Sequence, residues 1–107
     1  MYLEKNYDDC LKQLGKYRNK AGWEDFFEKA DDLKTLDEEY NGAMHDPPVP
    51  KKLGNKIVNR IRELEDLKQT VERLVKGPNE GKDYDAVENL IFSAKEGFNF
   101  LLKDENN

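Results

Sequence analysis

Trp23-Glu24-Asp25-Phe26-Phe27-Glu28-Lys29-Ala30-Asp31-Asp32-Leu33-Lys34-Thr35-Leu36-Asp37-Glu38-Glu39-Tyr40 is the stretch that decides the fold of this 107-residue chain. Trp23, Phe26, Ala30, Leu33 and Tyr40, reinforced by Phe27 and Met44, recur at helical spacing, so at about 100° per residue they line one side of a helix. The pattern repeats on both sides of this segment. Leu3, Tyr7, Cys10, Leu14 and Tyr17 form a stripe before it; Leu53, Ile57, Ile61, Leu64, Leu67, Val71 and Leu74 form one after it. Tyr84, Val87, Ile91, Ala94, Phe98 and Leu101 give a fourth, and no segment alternates at period two.

The breaks agree with the stripes. Asn19 and Gly22 suit a turn, and the run His45, Asp46, Pro47, Pro48, Val49, Pro50 cannot continue a helix because proline lacks the amide donor and restricts its predecessor. Gly77 and Pro78 predict a stop, and Asp83 is placed as the N-cap of the last helix. These signals predict an all-α, antiparallel four-helix bundle with helices over 3–19, 23–44, 53–76 and 84–103, the chain 1–107 forming a single domain. The alternative is a three-helix bundle with a loosely docked first helix, since Gly15 costs that helix about 1 kcal/mol relative to alanine.

Composition narrows the class. Charged residues make up 38% and apolar ones 36%, yet five Phe, five Tyr and one Trp supply bulk for a core. No apolar run approaches the roughly 20 residues of a membrane span, and the N-terminal residues lack the basic and apolar regions of a signal peptide. The one cysteine, Cys10, forms no internal disulfide and belongs to no zinc-binding cluster, so a reducing cytoplasm is the expected setting.

Charge is unevenly spread. The first fifty residues hold seven basic and twelve acidic side chains, whereas the remainder holds eleven of each. In helix 2, Glu24, Glu28, Asp31 and Glu38 fall in one strip and Asp25, Asp32 and Glu39 in the next, opposite the aromatic stripe. With two lysines to oppose the acids, the net charge is about one per 4 Å, close to the roughly 3.4 Å of one DNA strand. One reading is a solvated face; the other is a surface that meets a basic partner. Asp37 differs, because its register turns it toward the core, where a buried carboxylate requires a partner. Lys56 and Arg60 are the candidates.

Other features weigh less. Lys51, Lys52, Lys56, Arg60 and Arg62 open helix 3 and suit either anion binding or pairing with helix 2. Glu72 and Lys76 make an i, i+4 pair. The segment 77–83 is one residue short of a phosphate loop and lacks its Ser or Thr, and the proline loop 45–52 carries a PxxPxK pattern that also arises by chance. His45 reads as a solvated turn residue, Ser93 has no strained turn to expose it, and Cys10 reads as a small buried hydrophobe.

The sequence therefore predicts a small, acidic, non-enzymatic module without cofactor or metal. It would bind or inhibit a partner by occluding a basic protein surface, such as that of a nucleic-acid-handling enzyme, in the manner of phage anti-defence or immunity-type proteins. The predicted contacts are Glu24, Asp25, Glu28, Asp31, Asp32, Glu38 and Glu39; direct nucleic-acid or membrane binding is not expected. One alternative is a divalent-metal-dependent nucleotide pyrophosphohydrolase-like bundle using pairs such as Asp25 with Glu28 and Glu63 with Asp66. Another is a structural subunit that self-associates through Phe92 and Phe100, which lie off the stripe of helix 4; monomer and homodimer are thus both open.

Overall fold

The computed structural model describes residues 2–75 and 80–105. Helix α1 (Lys5–Gln13) tightens into a 3-10 turn over Leu14–Tyr17; α2 (Glu24–His45), α3 (Lys51–Glu72), α4 (Glu80–Gly97) and a short α5 (Asn99–Glu105) follow. Among the described residues there is no strand. The predicted stop at Gly77 and Pro78, the Glu72–Lys76 pair and the start of the 77–83 motif lie outside the described residues.

Contacts across each seam fix the direction of the helices. Tyr7 donates to the Ala30 carbonyl and Tyr17 stacks on Trp23, so α1 and α2 run antiparallel. Asp32 meets Arg60 and Lys29 meets Glu63, so α2 and α3 do too. Lys95 meets Glu65 across α3 and α4, and Asn6 meets Ser93 while Gln13 reaches Lys82 across α4 and α1. The result is the predicted antiparallel bundle, with α1, α2, α3 and α4 in order around one core.

That core is built by the apolar stripes. Tyr7, Leu14, Trp23, Phe26, Leu33, Ile57, Ile61, Leu64, Val87, Leu90 and Phe98 are almost fully buried. Rings close both ends. Tyr17 and Trp23 stack at 4.5 Å beside Phe26 and Phe27, while Tyr2, Tyr40, Phe98 and Phe100 pack at centroid distances of 5.3 to 6.2 Å at the other end. Two stripe residues depart from the pattern: Met44, near the end of α2, and Tyr84, in the first turns of α4, are exposed.

The first and last helices also differ from the sequence reading. The α-helical part of the first ends at Gln13, and the tighter turn that follows contains Gly15, which has low helix propensity. The last helix begins earlier, at Glu80, and is interrupted at Phe98. The interruption adjoins Gly97, whose missing side chain admits the backbone of the N-terminal segment: a Cβ there would collide with the Tyr2 carbonyl. Gly22 fills the other special position, with φ 92° in the turn before α2.

Two buried aspartates hold α1 in place. Asp37 of α2 is fully buried, and its Oδ1 accepts the amides of Tyr2 at 2.7 Å and Leu3 at 3.3 Å, just before α1. Lys56 and Arg60, the partners expected from sequence, do not reach it; Arg60 is taken by Asp32 and Glu63. Asp83 of α4, 1% exposed, accepts from the Tyr17 hydroxyl at 2.8 Å and from Gln13 at 3.3 Å, with Lys16 at 2.8 Å, just after α1. It is therefore not the N-cap the sequence suggested. Burial pushes its carboxyl up, but the hydrogen bonds from Lys16, Tyr17 and Gln13 outweigh that and hold it below the usual aspartate value.

A carboxylate whose folded pKa is depressed adds stability above its unfolded value of about 3.9 and loses it as pH falls through the folded pKa. Asp83→Asn is accordingly expected to cost about 1–3 kcal/mol at neutral pH and to flatten the acid limb of a stability–pH profile measured by urea denaturation. Glycine substitutions check the packing independently. Gly97→Ala should destabilise by about 1–3 kcal/mol, whereas Gly42→Ala, where a Cβ meets nothing within 4 Å, should stabilise by about 0.5–1 kcal/mol.

Candidate functional site: the acidic face of α2

The face of α2 opposite the aromatic stripe carries all seven carboxylates predicted for partner contact. Glu24, Asp25, Glu28, Asp31, Glu38 and Glu39 are exposed and Asp32 is half-buried. The helix turns them outward because Trp23, Phe26, Ala30, Leu33 and Tyr40 are all consumed by the core.

The row is not the unbroken one the sequence suggested, because basic side chains reach its middle from both flanks. From the α1 side, Arg18 grips Asp31 with two hydrogen bonds of 2.8 and 2.9 Å, its guanidinium lying 4.6 Å from the Phe27 ring. From α3, Arg60 pairs with Asp32 and, bidentately, with Glu63. Both guanidiniums are held more firmly charged by these hydrogen bonds. Lys29 stands 3.5 Å from both Glu28 and Glu63, and Lys34 pairs with Asp8 at 2.8 Å.

What remains is two separate clusters. At the start of α2, Glu24 accepts the Gly22 amide at 2.9 Å, and Asp25 and Glu28 lie beside it. Near its end are Glu38 and Glu39. Asp25, Glu38 and Glu39 make no hydrogen bond or ion pair with a described residue. Ten residues separate Glu28 from Glu38, which is about 15 Å of helix at roughly 1.5 Å rise. The arginines were present in the sequence, but their targets depended on which helices became neighbours.

The other candidates resolve individually. Ser93 is buried and accepts from Asn6 at 2.8 Å, which holds α4 to α1. Burial, aided by Asp9, pushes the Cys10 thiol up, away from the thiolate form that nucleophilic chemistry requires. The buried Tyr7 hydroxyl is likewise pushed up and is committed to the Ala30 carbonyl at 2.6 Å. His45 is exposed at the end of α2, and Lys51, Lys52 and Lys56 are exposed along α3. Phe100, although 41% exposed, belongs to the ring cluster with Tyr2, Tyr40 and Phe98, whereas Phe92 is 60% exposed.

Among the described residues, no three or more His, Cys, Asp or Glu side chains are grouped to hold a metal ion. Glu63, one of the carboxylates considered for that role, is engaged by Arg60 and Lys29. No described helix is long and apolar enough to cross a membrane. Compared with protein-family models, curated proteins and solved structures, the chain matches none. An ion held by the folded state raises the melting temperature by mass action; addition of Mg or Mn ions is expected to leave it unchanged, and a shift of several degrees in calorimetry would restore the metal-dependent reading.

Proposed function

We propose that this protein is a small interaction module or inhibitor that occludes a basic surface of another protein, with α2 as its contact. The observation that carries the reading is that Asp25, Glu38 and Glu39 stay outward without a hydrogen bond or ion pair to a described residue while α2 is locked from both sides by Arg18 and Arg60. Carboxylates fixed on a rigid helix steer a cationic surface toward themselves and lose little side-chain freedom in the helix backbone that carries them. A partner that ordinarily holds phosphates, such as a nucleic-acid-handling enzyme, presents a cationic surface of this kind, and the action would be steric block with the carboxylates standing where phosphates otherwise lie. Phage anti-defence and immunity-type proteins are the kind of molecule this describes, and the intracellular setting expected from the sequence belongs to the same proposal.

The division of the face selects the variants. Reversing Asp31 or Asp32 also breaks the Arg18 or Arg60 pair and so mixes stability with binding. The triple variant Asp25→Lys, Glu38→Lys, Glu39→Lys avoids this. Wild-type protein immobilised at low salt is expected to recover from host extract a basic protein whose nucleic-acid binding it inhibits. The triple variant should bind that protein about tenfold or more weakly, with an unchanged melting temperature. Equal binding by the triple variant, or a recovered protein whose nucleic-acid binding is unaffected, refutes the proposal.

A further inference from the structure

The basic stretch that opens α3 is not used by the acidic face. The pairing with α2 that the sequence left open for it is made by Arg60, while Lys51, Lys52 and Lys56 are exposed and form no ion pair with a described residue. No acid occurs between Asp46 and Glu63, so the first turns of α3 carry cations alone in a chain whose net charge is −5.

One of these cations borders an apolar groove. A hollow of about 340 Å³ is lined by Gly54 and Val58 of α3, Tyr40 of α2, Leu101 of α5 and Val49 of the proline connection. Gly54 keeps it open: a Cβ there would stand 3.3 Å from Leu101, so a larger side chain would fill the space between α3 and α5. Lys51 is the one charged residue in the lining, and Asn55 lies beside it. Mostly apolar walls with a few polar groups, at a volume near the lower end of roughly 300–1,000 Å³, are the character of a small-molecule site.

The charge and length of the groove define its occupant. From Lys51 to Val58 the helix rises about 10 Å at roughly 1.5 Å per residue, the span of an extended aliphatic chain of about eight carbons. A single cation on the rim matches a single negative charge. A peptide would instead bring an amide donor and acceptor at every residue against walls that offer Asn55 and little else to pair them. We propose that this groove binds an aliphatic monocarboxylate of about eight carbons, its chain against Val49, Gly54, Val58 and Leu101 and its carboxylate on the Lys51 ammonium. The site is separate from the outward carboxylates of α2 and does not depend on the function proposed for them.

Amide NMR titration of the full chain with butanoate, hexanoate, octanoate and decanoate tests this. Octanoate is expected to saturate one site with a Kd below about 1 mM, affinity rising about fourfold per methylene up to octanoate and little beyond it. The shifts should be confined to Val49, Gly54, Asn55, Val58, Leu101 and their neighbours. Lys51→Glu puts an acid where a helix start favours one, so the fold is retained. It should weaken octanoate about tenfold or more and leave the neutral probe 1-octanol within about threefold of wild type. A second apolar hollow, beside Trp23 and Leu74 with Lys20 in its lining, supplies the control: Lys20→Glu should leave octanoate binding unchanged. Absence of saturable binding, affinity that ignores chain length, or shifts centred on Trp23 overturns the site. Octanoate binding that survives Lys51→Glu, or that Lys20→Glu abolishes, overturns the pairing with Lys51. Because the probes include no second protein, these outcomes are distinct from those of the test of the acidic face.

Discussion

The fold depends on two carboxylates that leave water to hold the shortest of the four core helices. Asp37 receives the chain immediately before α1 and Asp83 receives it immediately after, one from α2 and the other from α4. A nine-residue helix is marginal by itself, and α1 gains its position from burial of Tyr7, Cys10 and Leu14 together with these anchors. Each anchor costs desolvation, which charge-assisted hydrogen bonds from donors flanking α1 offset, although Asp37 Oδ2 stays buried without a hydrogen bond from a described residue. The first helix is thereby part of the bundle and not an appendage to three others.

The acidic face of α2 reflects a compromise between stability and charge. Like charges at i, i+4 oppose the helix that carries them, and a continuous row of seven would act against α2 along much of its length. Arg18 and Arg60 neutralise the middle and leave the two ends open. The same two arginines also tie α2 to the α1 connection and to α3. Neutralisation and docking are thus served by one set of contacts, and the exposed remainder is divided into two clusters on a rigid support.

The legible part of this protein was its apolar spacing. Stripes such as Leu3, Tyr7, Cys10, Leu14 and Tyr17, or Ile57, Ile61 and Leu64, turn inward almost without exception, because the helical period binds side-chain direction to residue number before any tertiary contact forms. Asp37 was legible as a buried carboxylate for the same reason. Its partners were not, since the amides of Tyr2 and Leu3 carry no side-chain signature and lie 34 and 35 residues away. Asp83 shows the converse: its position near a helix start suggested a cap, whereas the helix begins three residues earlier and the carboxylate turns across to Tyr17.

The chain alone therefore determined four amphipathic helices, their apolar faces, the connection through the prolines and the concentration of acid on α2, all of which are local and periodic properties. Only the tertiary structure decided which cations meet which acids, where the last helix breaks, and which of Phe92 and Phe100 is covered. These depend on helices distant in sequence coming side by side: Gly97 matters because the Tyr2 backbone crosses it, and Asp31 is neutralised because the turn after α1 brings Arg18 within 2.8 Å. Spacing along a helix fixes a direction, but a contact needs a second element placed at the other end of that direction.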